Sequence, residues 1–189
     1  RIAEAALEAS WEFMGHGFLQ GPMHKLDDQK AAIEQTVEAL RSFTGKTPKG
    51  WESPGLTETY DTVDLLTGAG IEYVADWVLD DQPVEIETAH GPLVSIPYTV
   101  ETNDITMMAL QHHSSDELLK RATDQFDRLY RESEKITRVM AISLHPYISG
   151  VPHRIGYLEK MVDDILARDD AIFMTGSQIA DWFTKAEAE

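Results

Sequence analysis

Apolar positions recur along this chain at two spacings, one near 3.6 and one near 2, and their alternation predicts a rhythm of helices and strands. A helix ending near Ser10 leads into a short strand over 11–15, and a long amphipathic helix follows over 27–43 with Ala31, Ile33, Val37 and Leu40 near one face. Gly45, Pro48 and Gly50 break it. Next come a strand near Trp51, a helix over 57–67 closed by Gly68 and Gly70, and a β-rich segment over 71–76. Between 77 and 104 the turn groups Asp80-Asp81-Gln82-Pro83, His90-Gly91-Pro92 and Pro97 punctuate the alternating pairs Val84, Ile86 and Val94, Ile96. That pattern predicts a β-hairpin excursion and a loop.

Ser114, Asp116 and Glu117 form a capping-box start for a helix with Leu118, Ala122, Phe126, Leu129 and Tyr130 on one side. An almost fully apolar strand over 139–144, a polar turn with Pro146, Gly150 and Pro152, a helix over 158–166, a strand over 171–174 and a last helix after Ser177 complete the series. Strands buried on both faces and separated by helices indicate a parallel α/β architecture, in which functional groups gather just after the strands.

At 189 residues with 42% hydrophobic content, the chain is expected to form one domain over 1–189. Ile2, Ala3, Ala6 and Leu7 already have helical spacing behind Arg1, with no capping residue ahead of them, so the domain is expected to be incomplete at its N-terminal side.

Charge and composition narrow the function. The chain has 33 acidic and 16 basic residues, a formal net charge of −17, which opposes contact with a phosphate backbone or an anionic membrane face. Nucleic acid and membrane are therefore not expected partners. Cysteine is absent, which excludes thiolate nucleophiles and zinc-thiolate sites, so any metal must sit on His, Asp or Glu. No apolar run approaches the roughly 20 residues of a membrane span, and a cytoplasmic location is expected.

Three of the seven histidines follow strands or lie in the same loops: His16 after 11–15, His24 beyond the Gly21-Pro22 turn, and His145 after 139–144. An imidazole at such a place can ligate a metal or carry a proton, and it can equally serve as a structural hydrogen-bonder. Asp76 closes the segment 71–75 and stands next to Trp77, where its carboxylate could orient an imidazole or cap the strand. Trp51 and Trp77 are the tryptophans placed to line a pocket.

Six strings occur in order: Gly15-His16-Gly17, Tyr73-Val74-Ala75-Asp76-Trp77, Asp80-Asp81-Gln82-Pro83, the run from Ile96-Pro97-Tyr98 to Asn103-Asp104, Leu144-His145-Pro146 through Pro152-His153-Arg154, and Thr175-Gly176-Ser177 through Asp181-Trp182. Together they make the chain resemble the polysaccharide deacetylase superfamily, most closely the branch with cofactor-independent allantoinase and peptidoglycan deacetylase-like proteins. The resemblance implies an irregular (β/α) barrel of about seven strands whose N-terminal strand lies outside this chain, and hydrolysis of a non-peptide C–N bond.

In the metal-dependent members one Asp and two His hold a divalent ion, a second Asp acts as base and a His protonates the leaving amine. Carried over, His145 becomes the general acid, Asp76 the group orienting it, and His16 a metal ligand, with His24 as the second because Gln20 stands four residues after His16. The cofactor implied is one zinc-like divalent metal, with a metal-free site as the alternative. Trp77, Trp51 and Tyr98 are the expected substrate contacts, the substrate being a small-molecule or glycan amide. A homo-oligomer is expected, the 84–96 hairpin offering the subunit contact. The reading of a different class is a non-catalytic ligand-binding module that keeps the fold without its catalytic carboxylates.

Overall fold

The structure, a computed structural model, describes residues 1–187. It divides into two units, each with its own apolar core. The first comprises Arg1–Trp77, Pro83–Ile96 and the stretch from Met174 onward. Here α1 (Ile2–Glu8), α2 (Gln29–Thr44), α3 (Thr62–Gly68) and α7 (Gly176–Glu187) accompany a four-stranded sheet of β1 (Gly50–Trp51), β2 (Tyr73–Val74), β3 (Val84–Thr88) and β4 (Gly91–Ser95). The strand order is β1-β2-β4-β3, parallel except for the antiparallel β3–β4 pair.

Local chemistry sets the ends of α2. The Asp28 side chain accepts from the Ala31 N–H at 2.9 Å, and Gly45 takes a left-handed conformation (φ 76°) that closes the helix on the Arg41 carbonyl. Ile33 on its inner face packs with Met23, Trp51, Leu66, Ile71, Val74 and Leu93, all buried. Each such side chain contributes about 1.5–3 kcal/mol by leaving water. The hairpin is part of the sheet, since β4 pairs with β2 (Tyr73 with Val94, Val74 with Ser95) as well as with β3. Leu93, Val94 and Ser95 are accordingly buried.

The strand expected over 11–15 reduces to a bridge at Gly15 beside Trp51. The Gly15 N–H donates to the Gly50 carbonyl and the Glu52 N–H to the Gly15 carbonyl, both at 2.9 Å. Any Cβ at position 15 would stand 2.2 Å from the Trp51 ring, so the approach that brings His16 to the end of β1 requires glycine.

The second unit, Val78–Gln82 with Pro97–Phe173, is mostly helical. A six-residue π-helix (Ile105–Leu110) precedes α4 (Glu117–Glu132), α5 (Pro146–Ser149) and α6 (Ile155–Leu166). Met107, Met108, Leu118, Ala122, Ile148 and Met161 form its buried core. The apolar run over 139–144 is extended but pairs only at Ser143, whose N–H donates to the Thr102 carbonyl at 3.0 Å and whose carbonyl accepts from Asp104 at 3.2 Å. Residues 171–174 form no strand, and Ile172 and Phe173 are exposed. Among the described residues no helix is long and apolar enough to cross a membrane.

Candidate active site

In the second unit, the parallel bridge of Asn103 with Ser143 sets Asp104 beside His145. Pro146 disfavours a helical backbone at the residue before it, and His145 is extended (φ −116°, ψ 117°) while Pro146 opens α5. The His145 carbonyl then accepts from Ile148 and Ser149 at 2.8 and 3.0 Å. Asn103 ties down the other side: its Oδ1 accepts from the Ile105 N–H at 2.9 Å, and its Nδ2 donates to the Tyr98 hydroxyl at 3.1 Å.

The carboxylate that orients His145 is that of Asp104. Its Oδ1 lies 2.7 Å from His145 Nδ1, and its Oδ2 accepts from the His145 N–H at 2.8 Å and from Ser149 Oγ at 2.7 Å. Asp104 is fully buried, and these three contacts are what make a buried charge tolerable, each charge-assisted bond contributing about 1.5–3 kcal/mol. With Nδ1 facing the carboxylate, Nε2 of the half-buried imidazole is the nitrogen left for a reacting group.

In the first unit, Asp76 is almost fully buried and is committed to Ser53: Oδ1 accepts the Ser53 N–H at 2.5 Å and Oδ2 the Ser53 hydroxyl at 2.7 Å. Ser53 Oγ in turn accepts from Trp51 Nε1 at 3.1 Å. The neighbouring Glu52 carbonyl lies 2.8 Å from His16 Nδ1, so Asp76 fixes the loop that orients His16.

Burial pushes the Asp76 carboxyl up to about 7, against the two Ser53 hydrogen bonds that favour the anion and with the charges of Glu58 and Glu52 adding to the rise. Unfolded, the carboxyl titrates near 3.8, so the folded state holds the extra proton and stability falls as pH rises between these values. The loss is on the order of 4 kcal/mol once pH exceeds the folded value. Asp76→Asn keeps both contacts to Ser53, with Oδ1 accepting and Nδ2 donating. The variant is expected to gain on the wild type between about pH 4 and about pH 7 and to hold a constant advantage above that, read as the difference in urea-unfolding free energies; parallel profiles across that interval would contradict the assignment.

The other expected residues are placed as follows. His24 is exposed on a short 3-10 helix (Met23–Lys25), tied to the Ser53–Thr57 turn by its N–H donating to the Thr57 carbonyl at 3.2 Å. Trp51 is fully buried under Gly15, and Trp77 is half-buried. Tyr98 donates its hydroxyl to Ser143 Oγ at 2.9 Å and lines a cavity of about 290 Å³ with Asp80, Asp81, Thr99 and Gln125. Among the described residues no three His, Asp or Glu side chains form a group that could hold a metal.

No family model matches the chain. A peptidoglycan deacetylase of Helicobacter pylori is 25% identical over 213 residues, covering 95% of this chain and 72% of that protein. The crystal structure of a probable polysaccharide deacetylase from Pseudomonas aeruginosa superposes on 97% of this chain with a TM-score of 0.89 and 25% identity. Over nearly its whole length the chain is similar to polysaccharide deacetylases in sequence and in fold. The fold of a second crystal structure, that of the Puue allantoinase, matches all of the chain at a TM-score of 0.91 and 24% identity. The chain spans 63% and 64% of the two crystallised chains. Within it, Asp104 is the residue that sequence reasoning left without a role.

Proposed function

We propose that this chain carries the acid side of a centre that hydrolyses a non-peptide amide or related C–N bond, with His145 as general acid and Asp104 as its positioning carboxylate. The observation that carries the reading is the Asp104–His145 contact, 2.7 Å long and anchored at three donors on a fully buried carboxylate. An amide nitrogen is a poor leaving group until it is protonated, and imidazole both holds and gives a proton near neutral pH. Asp104 stabilises the charged ring and fixes which nitrogen faces outward, so the proton is delivered from Nε2 and recovered as water completes the hydrolysis.

Asp76 is assigned the positioning of His16 through Ser53 and Glu52. His16 has its Nδ1 on the Glu52 carbonyl, and no step is routed through a metal because the described residues do not supply a donor set for one. The H. pylori protein is a peptidoglycan deacetylase and the Puue structure an allantoinase, which supports an amide of a glycan or of a small ureide as the substrate class.

The test is an assay of the full-length protein on N-acetylated glycan oligomers, peptidoglycan and allantoin, each with chelator and with added zinc. Turnover of at least one is expected. Absence of turnover on all of them under both conditions would remove the hydrolase reading.

A further inference from the structure

Beside His145 stands an aromatic ring that the proposed chemistry does not use. Tyr147 is 70% exposed, and its ring centroid lies 5.7 Å from that of the His145 imidazole at an interplanar angle of 64°. Its two successors point the other way: Ile148 and Ser149 are buried, Ser149 bonded to Asp104 and the Ile148 carbonyl accepting from Arg154 Nη1 at 3.2 Å. The short α5 is therefore pinned on its inner side, and Tyr147 is presented on its outer side. A fixed, wet aromatic face next to a reacting group is how proteins hold flat or ring-shaped ligands at low entropic cost.

We propose that Tyr147 is a specificity-determining substrate contact: its ring is the face on which a pyranose of an N-acetylated glycan stacks, with the acetamido group turned toward His145. This rests on the reading of His145 as the acid. Covalent geometry favours a pendant amide over a cyclic one. In a 2-acetamido pyranose the amide carbon hangs about 4 Å from the ring centre, two C–N bonds of roughly 1.3–1.5 Å beyond the ring carbon. A ring stacked on Tyr147 thus carries its amide out beyond the ring edge, and the imidazole is an immediate neighbour, its centroid 5.7 Å from that of Tyr147. In a five-membered cyclic ureide the scissile bond is part of the ring, only about 1 Å from its centre. Stacking such a ring on Tyr147 holds that bond away from Nε2.

The test uses the full-length protein and penta-N-acetylchitopentaose, with allantoin as the cyclic counterpart. Tyr147→Ala is expected to raise KM for the pentamer about tenfold with kcat altered less than about threefold, and Tyr147→Trp to restore KM. Allantoin turnover, if present, is expected not to depend on Tyr147. An unchanged KM in Tyr147→Ala, a Tyr147→Trp variant no better than alanine, or an equal dependence for allantoin would overturn the proposal. Titration of the pentamer into His145→Asn protein, with and without Tyr147→Ala, separates the two readings. Tyr147-dependent binding there supports the platform whatever becomes of His145 as acid. Loss of turnover in His145→Asn together with Tyr147-independent binding, or with no binding, overturns the platform alone.

Discussion

Exchange of His145 for asparagine is expected to lower kcat by about 10²–10⁴, the range that a positioned general acid contributes, while KM and the unfolding midpoint stay near wild type. Asparagine is chosen for a physical reason. Its Nδ2 can occupy the place of the imidazole Nδ1 and still donate to Asp104, so the buried carboxylate keeps a partner and only the outward proton donor is lost. Steady-state kinetics on whichever amide the full-length protein turns over, with circular dichroism to establish the fold, provide the check. A variant within a fewfold of wild type in kcat would remove His145 from the chemistry.

The second large effect concerns Asp104 and divides into two variants. Asp104→Ala strips the acceptor from the His145 N–H, His145 Nδ1 and Ser149 Oγ. A buried donor left unsatisfied costs about 1–3 kcal/mol, so a loss on the order of 4 kcal/mol is expected in urea unfolding, enough to threaten a fold of ordinary marginal stability. Asp104→Asn preserves volume and one acceptor oxygen and is expected to fold. Its amide nitrogen brings a donor to a site that needs acceptors, the imidazole loses its fixed tautomer, and kcat should fall nearly as far as in His145→Asn. A folded Asp104→Asn protein with wild-type kcat would show that the contact is structural only.

Elements whose signals are local could be read from the chain. Helix α2 begins one residue after its Asp28 cap and ends at Gly45, both expressed in two or three neighbouring side chains. Helix α3 starts at Thr62 although the apolar spacing predicted a start near 57. Thr57 is engaged elsewhere: its Oγ1 donates to the Pro54 carbonyl at 2.7 Å and accepts from the Met23 N–H at 2.9 Å, which holds 53–57 as a turn. Ser114, expected to cap α4, donates instead to Asp116, and α4 has no side-chain cap bond.

Strands were less legible, because apolar runs report a preference for burial and not the presence of a pairing partner. The run over 139–144 pairs at a single residue, and 171–174 exposes Ile172 and Phe173. The site shows the same division. His145 and His16 were visible as strand-end imidazoles, and His145-Pro146 fixes its own backbone. Asp104 was not, because its partner lies 41 residues away and nothing near Asn103-Asp104 distinguishes a carboxylate turned inward from one capping a helix. Asp76 was seen as a carboxylate at the right rim, but its choice of Ser53 over an imidazole is a fact of packing 23 residues apart.

Whether the His145 imidazole delivers a proton to the departing nitrogen is tested most directly by how the damage in His145→Asn depends on the leaving group. With an alkylamide substrate, whose amine must be protonated to depart, the variant is expected to lose at least 10² in kcat/KM. With 4-nitrophenyl acetate, whose phenolate departs unprotonated, the loss is expected to be no more than a fewfold. Equal losses on the two substrates would contradict the account, leaving the centre without its acid.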